Sequence, residues 1–204
     1  MAKLALIGAT GNVGSKILDE ALNRDHEVTG IVRNPDKLAP HPKLTARHGD
    51  VFDVAGLAGL LAGHDAVISA VHFTASDPKL LLQAVHQSGV KRYLVVGGAG
   101  SLEVAPGVAL VDTPEFPAAY KQEATAGRDF LALLRDEAAL DWTFLSPSAL
   151  IAPGERTGTF RLGRDQLLVG ADGQSRISQE DYAVAMIDEV EKPAHIRQRF
   201  TVGY

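Results

Sequence analysis

Apolar and polar positions alternate along the chain in blocks that predict strands and helices in turn. Short runs with few charges are typical of parallel strands that are covered on both faces, and they occur at 4–7, 27–33, 44–48, 66–71, 92–96, 140–145 and 200–202. Helical periodicity is found at 15–22, 53–61, 77–88, 117–136 and 178–191. Strands that alternate with helices at this spacing imply right-handed crossovers and an α/β fold of three layers, in which helices flank a doubly wound parallel sheet.

The first strand ends in a turn with three regularly spaced glycines, Gly8-x-x-Gly11-x-x-Gly14. In a strand–turn–helix context these glycines allow a sharp turn, a close approach of backbone to a pyrophosphate, and tight packing of helix against strand. The amides at the start of the helix then face the phosphates. We therefore expect dinucleotide binding, although a tight turn without a ligand would use one or two of the same glycines.

The residues after the second strand bear on the choice of coenzyme. A carboxylate at this position usually binds the ribose 2′-hydroxyl of NAD, whereas a basic residue suits the 2′-phosphate of NADP. This chain has Arg33, Asn34 and Lys37 there, which favours NADP(H) over NAD(H). A solvated arginine at a strand end is the alternative.

Two stretches depart from the regular alternation and are expected to form a substrate cleft, at 98–117 and 147–177. The first has the length of a lid and the second contains a predicted hairpin at 159–169. The helix between them carries an apolar stripe, which predicts that Tyr120 packs in the core. We regard 1–204 as a single dinucleotide-binding domain with these cleft elements added.

Composition excludes several classes of function. A net charge of -5 argues against a surface for nucleic acid or anionic membrane. The chain has no cysteine, which excludes disulfides and thiolate chemistry, and no apolar segment approaches the roughly 20 residues that cross a bilayer. We expect a cytoplasmic protein without a metal site, and a homodimer is possible.

Several motifs resemble those of a known family. Gly8-Ala-Thr-Gly-Asn-Val-Gly14, Val32-Arg-Asn-Pro-Asp-Lys37, Leu140-Asp-Trp-Thr-Phe-Leu-Ser-Pro147, Pro153-Gly-Glu-Arg-Thr-Gly158 and Ser178-Gln-Glu-Asp-Tyr-Ala183 are similar to the atypical short-chain dehydrogenases/reductases of the NmrA-like NAD(P)H-binding group. The chain is especially similar to small bacterial NADH-flavin reductases. The resemblance implies a Rossmann-like fold without a large substrate domain.

One family motif is missing. Carbonyl-reducing members use Tyr-x-x-x-Lys, in which the tyrosine donates a proton and the lysine holds the nicotinamide ribose. Lys121 resembles that lysine, but Pro117 lies four residues before it. A ketone benefits from a positioned acid by about 10²- to 10⁴-fold, whereas a flavin or quinone delocalises the charge and can take its proton from water. A small planar acceptor, FMN or FAD among others, is therefore favoured over an alcohol or ketone.

Candidate residues follow from these arguments. The catalytic candidates are Lys121, Ser101, Tyr120 and His72. The cofactor candidates are Gly8, Thr10, Gly11, Asn12, Val13, Gly14, Arg33, Asn34, Lys37, Asp50, Val51, Ser69, Ala70, Gly97, Lys121 and Pro147. Arg156 and Thr157 could meet an anionic substrate tail or face solvent, and Asp53 could be a simple helix cap. The alternatives to a reductase are a non-catalytic NmrA-like sensor that binds NADP and a nucleotide-sugar epimerase or dehydratase.

Overall fold

Strands and helices alternate over most of the chain in the computed structural model, which describes all 204 residues. The strands are β1 (Lys3–Ile7), β2 (Glu27–Val32), β3 (Leu44–His48), β4 (Ala66–Ser69), β5 (Arg92–Val96), β6 (Glu103–Ala105), β7 (Val108–Ala109), β8 (Asp141–Ser146), β9 (Leu150–Ala152), β10 (Arg161–Gly163), β11 (Arg176–Ser178) and β12 (Gln198–Gly203). The helices are α1 (Asn12–Asn23), α2 (Val54–Leu61), α3 (Pro78–Ser88), α4 (Ala118–Arg135) and α5 (Gln179–Glu191).

Eight of the strands form one sheet in the order β10-β12-β8-β5-β4-β1-β2-β3. Every neighbouring pair is parallel except β10 with β12. β1 lies between β2 and β4, so the strand order reverses at its carboxyl end. Ligands of open α/β sheets bind at this kind of switch point. The doubly wound, Rossmann-like architecture expected from the alternation is confirmed.

The two faces of the sheet are buried by different helices. Leu4 and Leu6 of β1 pack in the cluster that includes residues of α1 and α5, whereas Ala5 and Ile7 pack in the cluster formed by α2, α3 and α4. Side chains alternate along a strand, so a run that is apolar at every position must be covered on both faces. This is the physical reason that the charge-free runs predicted buried parallel strands.

Side chains cap several helices, as their sequences suggest. Asp53 accepts a hydrogen bond from the Gly56 amide and is therefore the cap of α2. Ser178 caps α5 by accepting from the amide of Asp181. The carboxylate of Asp181 does not complete a capping box, because it binds the loop before β10 instead.

Three local expectations are wrong. Residues 159–169 do not form a hairpin, because β10 pairs with β12 some 40 residues later in the chain, as the register Arg161↔Gly203 shows. The stretch 98–117 is not wholly irregular and contains the β6–β7 hairpin. Tyr120 is 67% exposed rather than in the core, since the buried stripe of α4 begins only at Gly127.

Candidate functional site

The glycine turn after β1 is shaped by contacts that no larger residue could make. Gly8 has a φ of +87°, in the left-handed region, and a Cβ there would lie 2.5 Å from the carbonyl oxygen of Ala70. A Cβ on Gly14 would lie 2.1 Å from the carbonyl oxygen of Gly8. Gly8 and Gly14 are therefore required by the turn itself. Gly11 is less constrained by the protein, since its Cβ would approach Gly8 only to 3.3 Å.

The start of α1 offers amides without protein acceptors. Gly11 is the N-cap, no side chain caps the helix, and its first turn holds no acidic residue. The helix geometry leaves the amides of Asn12, Val13 and Gly14 without backbone partners, while Thr10, Gly11 and Asn12 are exposed. Such a terminus attracts an anion through its free N–H groups and its dipole. A pyrophosphate fits this turn.

Cationic side chains follow β2 at the same edge of the sheet. Arg33 and Lys37 are exposed, and neither side chain takes part in a hydrogen bond or an ion pair within the protein. The side-chain oxygen of Asn34 accepts from the amide of Asp36 and so shapes the turn. His48 on β3 lies beside Val32, the residue that precedes Arg33, and is therefore close to this turn. No carboxylate precedes Asp36 in this turn to bind a ribose hydroxyl.

The segment after β3 borders the same region. An oxygen of Asp50 accepts from the amide of Phe52 at 2.9 Å, which fixes the turn. Val51 is half-buried, and Phe52 is 57% exposed. Parallel strands bring the residues after β2 and β3 to one edge, so these side chains and Arg33 lie at the place expected for an adenosine.

The hydroxyl of Ser69 is occupied within the protein. Ser69 is a candidate for contact with the cofactor, but it is buried and its hydroxyl lies 3.0 Å from the hydroxyl of Tyr93. It sits inside the sheet because it pairs with Ile7 and Val95 on neighbouring strands. The backbone of Ala70, by contrast, packs directly on Gly8.

The loop after β5 lies close to β8. A Cβ on Gly97 would be 2.4 Å from the ring of Phe144, so this glycine allows close packing. The amide of Gly97 donates to the carbonyl of Leu145, two residues before the buried Pro147. Gly97 and Pro147 are thus brought together at the carboxyl ends of β5 and β8.

Helix α4 places Lys121 beside that loop. Its neighbour Ala124, one turn later, packs against Gly100. Lys121 is exposed and forms no ion pair within the protein. Pro117 is the N-cap of α4, so the position of the missing tyrosine lies just outside the helix. Lys121 is therefore available to a ligand while no tyrosine stands one turn before it.

His72 and Glu123 link α4 to the turn after β4. One oxygen of Glu123 accepts from the amide of Phe73 at 2.8 Å and lies 3.2 Å from His72 Nδ1. The other accepts from the amide and hydroxyl of Thr74. Burial raises the pKa of Glu123, but the hydrogen bonds from Thr74 and Phe73 hold it below its ordinary value. His72 itself is 83% exposed at the cleft edge.

Most tyrosine hydroxyls are occupied by the protein. The Tyr182 hydroxyl donates to the carbonyl of Leu145, and the Tyr204 hydroxyl donates to the carboxylate of Asp181. Burial raises the pKa of Tyr93 and of Tyr182 far above the ordinary value. Tyr120 is the remaining tyrosine, and its hydroxyl has no protein partner. No buried tyrosine can therefore serve as an acid at the cleft.

Ser101 contacts a residue that the sequence did not single out. The guanidinium of Arg199 on β12 donates to the Ser101 hydroxyl at 3.3 Å and to the carboxylate of Asp165. Asp165 also joins the segment after β10 to the hairpin, because its carbonyl accepts from the amide of Glu103. The alternation pattern did not reveal Arg199, since this buried cation is the second residue of β12 and lies before the run at 200–202 that predicted the strand.

The family motif Pro153–Gly158 has a structural role. Arg156 binds the buried carboxylate of Glu20 on α1 through two hydrogen bonds, of 2.7 and 2.8 Å. Thr157 donates to Asp181. Arg156 and Thr157, for which a substrate anion and solvent were the two alternatives, are both exposed, and their side chains are hydrogen bonded within the protein. They fasten the loop to α1 and α5, because Glu20 and Asp181 are buried carboxylates that need donors.

A pocket of about 580 Å³ lies beside this loop and not at the glycine turn. Leu150, Ala152, Thr157, Ser178 and Tyr204 are among its walls. These residues belong to the side of the sheet that α1 and α5 cover, whereas Lys121 lies on the side of α4. The segment 147–177 is thus divided between the two sides of the sheet. Only its part at 165–167, which bonds to Glu103, adjoins the stretch 98–117.

Two further kinds of feature are absent from the structure. No group of three or more His, Asp or Glu side chains is arranged to hold a metal ion. None of the helices is long and apolar enough to span a bilayer.

Comparisons with known proteins show the family of the chain. The profile of the family described as "NAD(P)H-binding" matches residues 8–193. A Burkholderia pseudomallei structure with the provisional name of an exported protein is 49% identical, with full coverage of both chains and a TM-score of 0.91. A provisionally named epimerase from Bacteroides thetaiotaomicron is 45% identical over 99% of this chain and 96% of its own, with a TM-score of 0.95. A Streptococcus pneumoniae protein with the provisional name NADH-flavin reductase is 37% identical over 100% of this chain and 99% of its own, with a TM-score of 0.86.

Proposed function

The chain belongs to the NAD(P)H-binding family, and from this premise we propose that it is an NADPH-dependent reductase of a flavin or quinone-like acceptor. The observation that carries the proposal is the uncapped start of α1 behind Gly8 and Gly14, with the unpaired Arg33 one strand away. The amides bind a pyrophosphate, and the guanidinium binds the 2′-phosphate of the adenosine.

The coenzyme preference rests on charge. A charge-assisted hydrogen bond is worth about 1.5–3 kcal/mol, so a single contact from Arg33 favours NADPH by very roughly ten- to a hundredfold. Lys37 adds a second positive charge in the same turn. The Streptococcus pneumoniae relative carries NADH in its name, and the direct comparison of both coenzymes on this chain decides between them.

The proposed class of acceptor follows from the absence of a tyrosine acid one turn before Lys121. When bound, a reduced nicotinamide supplies a hydride, which reduces the acceptor by two electrons, while a proton comes from water and the coenzyme is left oxidised. Lys121 is placed to hold the nicotinamide ribose. No tyrosine lies one turn before it to protonate an alkoxide, so an acceptor that delocalises negative charge suits this cleft better than a ketone. Positioning of the two rings then supplies most of the rate.

Turnover with defined acceptors tests the proposal. Oxidation of NADPH by the purified protein is followed with FMN, FAD, menadione and a simple ketone. We expect turnover with at least one flavin or quinone and none with the ketone. Reduction of the ketone alone would contradict the argument from the missing acid, and no turnover with any of them would leave a binding protein.

Two alternative functions can be distinguished from a reductase by further measurements. A sensor that binds NADP without using it would also lack an acid, and it would bind a partner protein only when NADP is present. An epimerase, suggested by the name of the Bacteroides relative, would invert one carbon of a nucleotide sugar with no net oxidation or reduction of the coenzyme. The missing tyrosine disfavours it, since such an enzyme must remove and return a hydroxyl proton.

A further inference from the structure

The hydroxyl of Ser101, a serine in a glycine-rich turn, is contacted by an arginine from a distant strand. Its oxygen accepts a hydrogen bond from Arg199, while its own O–H has no acceptor in the protein. The residue is half-buried. The adjacent amide of Leu102 bonds to the carbonyl of Ala99, so the turn around it is fixed. One lone pair of the hydroxyl is occupied by Arg199, and its proton remains free to be donated to a ligand.

The partner of Ser101 is a buried cation that is not fully neutralised. The side chain of Arg199 is 3% exposed. Its counter-ion Asp165 is about half-exposed and is shared with Arg135 at 3.6 Å. Two guanidinium groups therefore share one carboxylate beside the cleft. A charged donor on the serine oxygen polarises the O–H bond and strengthens its own donation.

The position of Ser101 points to the acceptor rather than to the adenosine. It lies four residues beyond Gly97, at the carboxyl end of β5. Gly100, next to it, packs on Ala124 of α4, one turn after Lys121. The glycine loop, Lys121 and Ser101 thus share one end of the sheet.

We propose that Ser101 is a hydrogen-bond donor to the acceptor and that Arg199 is the positioning residue that holds it in this role. The inference rests on the proposed function and specifies which chemical group of the acceptor the protein contacts. The acceptor carries a carbonyl oxygen or ring nitrogen that gains negative charge on reduction, as in a quinone or an isoalloxazine. Ser101 supplies part of the electrostatic stabilisation for that charge, and the proton still comes from water.

A double-mutant cycle tests the inference with Ser101→Ala, Arg199→Met and the double variant. Loss of one donor to a developing oxyanion typically lowers kcat by about 10²- to 10³-fold. We expect about a 100-fold fall in kcat for Ser101→Ala and about 10-fold for Arg199→Met, with a smaller change in KM. The double variant should be no slower than Ser101→Ala alone, because Arg199 acts through the serine. Arg199→Lys keeps the charge and should recover part of the loss.

Binding gives a second readout. The affinity for FMN and for menadione is measured by calorimetry on protein that is saturated with NADP⁺, and the same non-additive pattern is expected there. Arg164→Met is the matched control, since Arg164 is exposed and has no ion pair, and its loss leaves Asp165, Arg199 and Ser101 untouched. The affinity for NADP⁺ itself should be unchanged in every variant.

The outcomes separate this inference from the proposed function. If the effects of Ser101→Ala and Arg199→Met on kcat and on acceptor affinity simply add, Arg199 only supports the fold and the inference is overturned. Normal turnover by Ser101→Ala overturns it while the reductase assignment stands. A wild-type protein that binds NADPH but neither binds nor reduces any flavin or quinone overturns both.

Discussion

At the scale of single residues, two physical requirements make position 8 a glycine. Its φ is positive, and the carbonyl of Ala70 leaves no room for a Cβ. Gly63 has a similar φ of +78° but no atom within 4 Å of its would-be Cβ. We expect Gly63→Ala to cost about 1–2 kcal/mol for the left-handed backbone. Gly8→Ala should cost about 1–3 kcal/mol more because of overpacking.

Chemical denaturation of both glycine variants measures this difference. The comparison isolates the steric term, since the two glycines share a backbone conformation. Equal losses of unfolding free energy would show that the contact with Ala70 relaxes without cost.

The proposed role of Arg33 in coenzyme preference can be tested by substitution. We expect Arg33→Ala to weaken NADPH binding by roughly ten- to a hundredfold and to change NADH binding little, because NADH has no 2′-phosphate. Lys192→Ala is the matched control. Lys192 is exposed and follows α5 at the opposite edge of the sheet, so its loss changes net charge equally. Calorimetry with each coenzyme is the measurement, and equal losses for NADPH and NADH would contradict the assignment.

The sequence predicts a residue's role where the local backbone conformation requires that residue type. It does not predict a side chain's contacts where the partner lies far away along the chain. The conformation of Gly8 follows from the strand and helix on either side of it. The partners of Ser69 and Arg156 are Tyr93 and Glu20, which are 24 and 136 positions away along the chain. No local pattern encodes such pairs, and for this reason the sequence could not predict these partners.

At the scale of elements, periodicity was sufficient wherever a strand or helix buries a regular face. The strands of the central parallel sheet and the five helices were located to within a few residues. β10 was misplaced in a hairpin because an edge strand of three residues carries little periodicity. Its partner β12 comes from the far end of the chain, and sequence separation hides such a pairing.

The loop 153–158 is joined to α1 by the ion pair of Arg156 with Glu20, in addition to its hydrogen bonds with α5. Hydrogen bonds from Arg156 lower the pKa of Glu20 from its ordinary 4.5, against the opposing effect of burial. A depressed native pKa stabilises the fold above about pH 4.5 and loses that stabilisation as pH falls through the native value. We expect Arg156→Met to lower the unfolding free energy by about 1 kcal/mol at pH 7. The difference from wild type should shrink in acid.

Urea denaturation between about pH 7 and about pH 3 follows that difference. Arg164→Met is the control, because Arg164 is an exposed arginine of the same segment without an ion pair. A deficit in Arg156→Met that stays constant with pH would show that the arginine acts through packing and not through the Glu20 carboxylate.

At the scale of the whole molecule, the sheet divides the cleft elements between its two sides. Sequence order suggested one continuous wall from 147 to 177, because neighbouring residues are assumed to act together. The segment instead crosses the end of the sheet. Its loop at 153–158 joins α1 and α5, and Asp165 joins the hairpin near α4. The 580 Å³ pocket and Lys121 therefore lie on different sides, which only the assembled layers reveal.

Coenzyme binding should stabilise the molecule as a whole, because the pyrophosphate turn exists only when β1, α1 and β4 are assembled. A ligand at one hundred times its Kd adds about 2.7 kcal/mol, and for a chain of this size that raises Tm by about 5–10 °C. We expect NADPH to raise Tm more than NADH at equal concentration, and Gly8→Ala to abolish both shifts. A scan of Tm against ligand concentration checks this. If Arg33→Ala retained the full NADPH shift, the 2′-phosphate would be bound elsewhere, and Lys37 and His48 would be the next residues to replace.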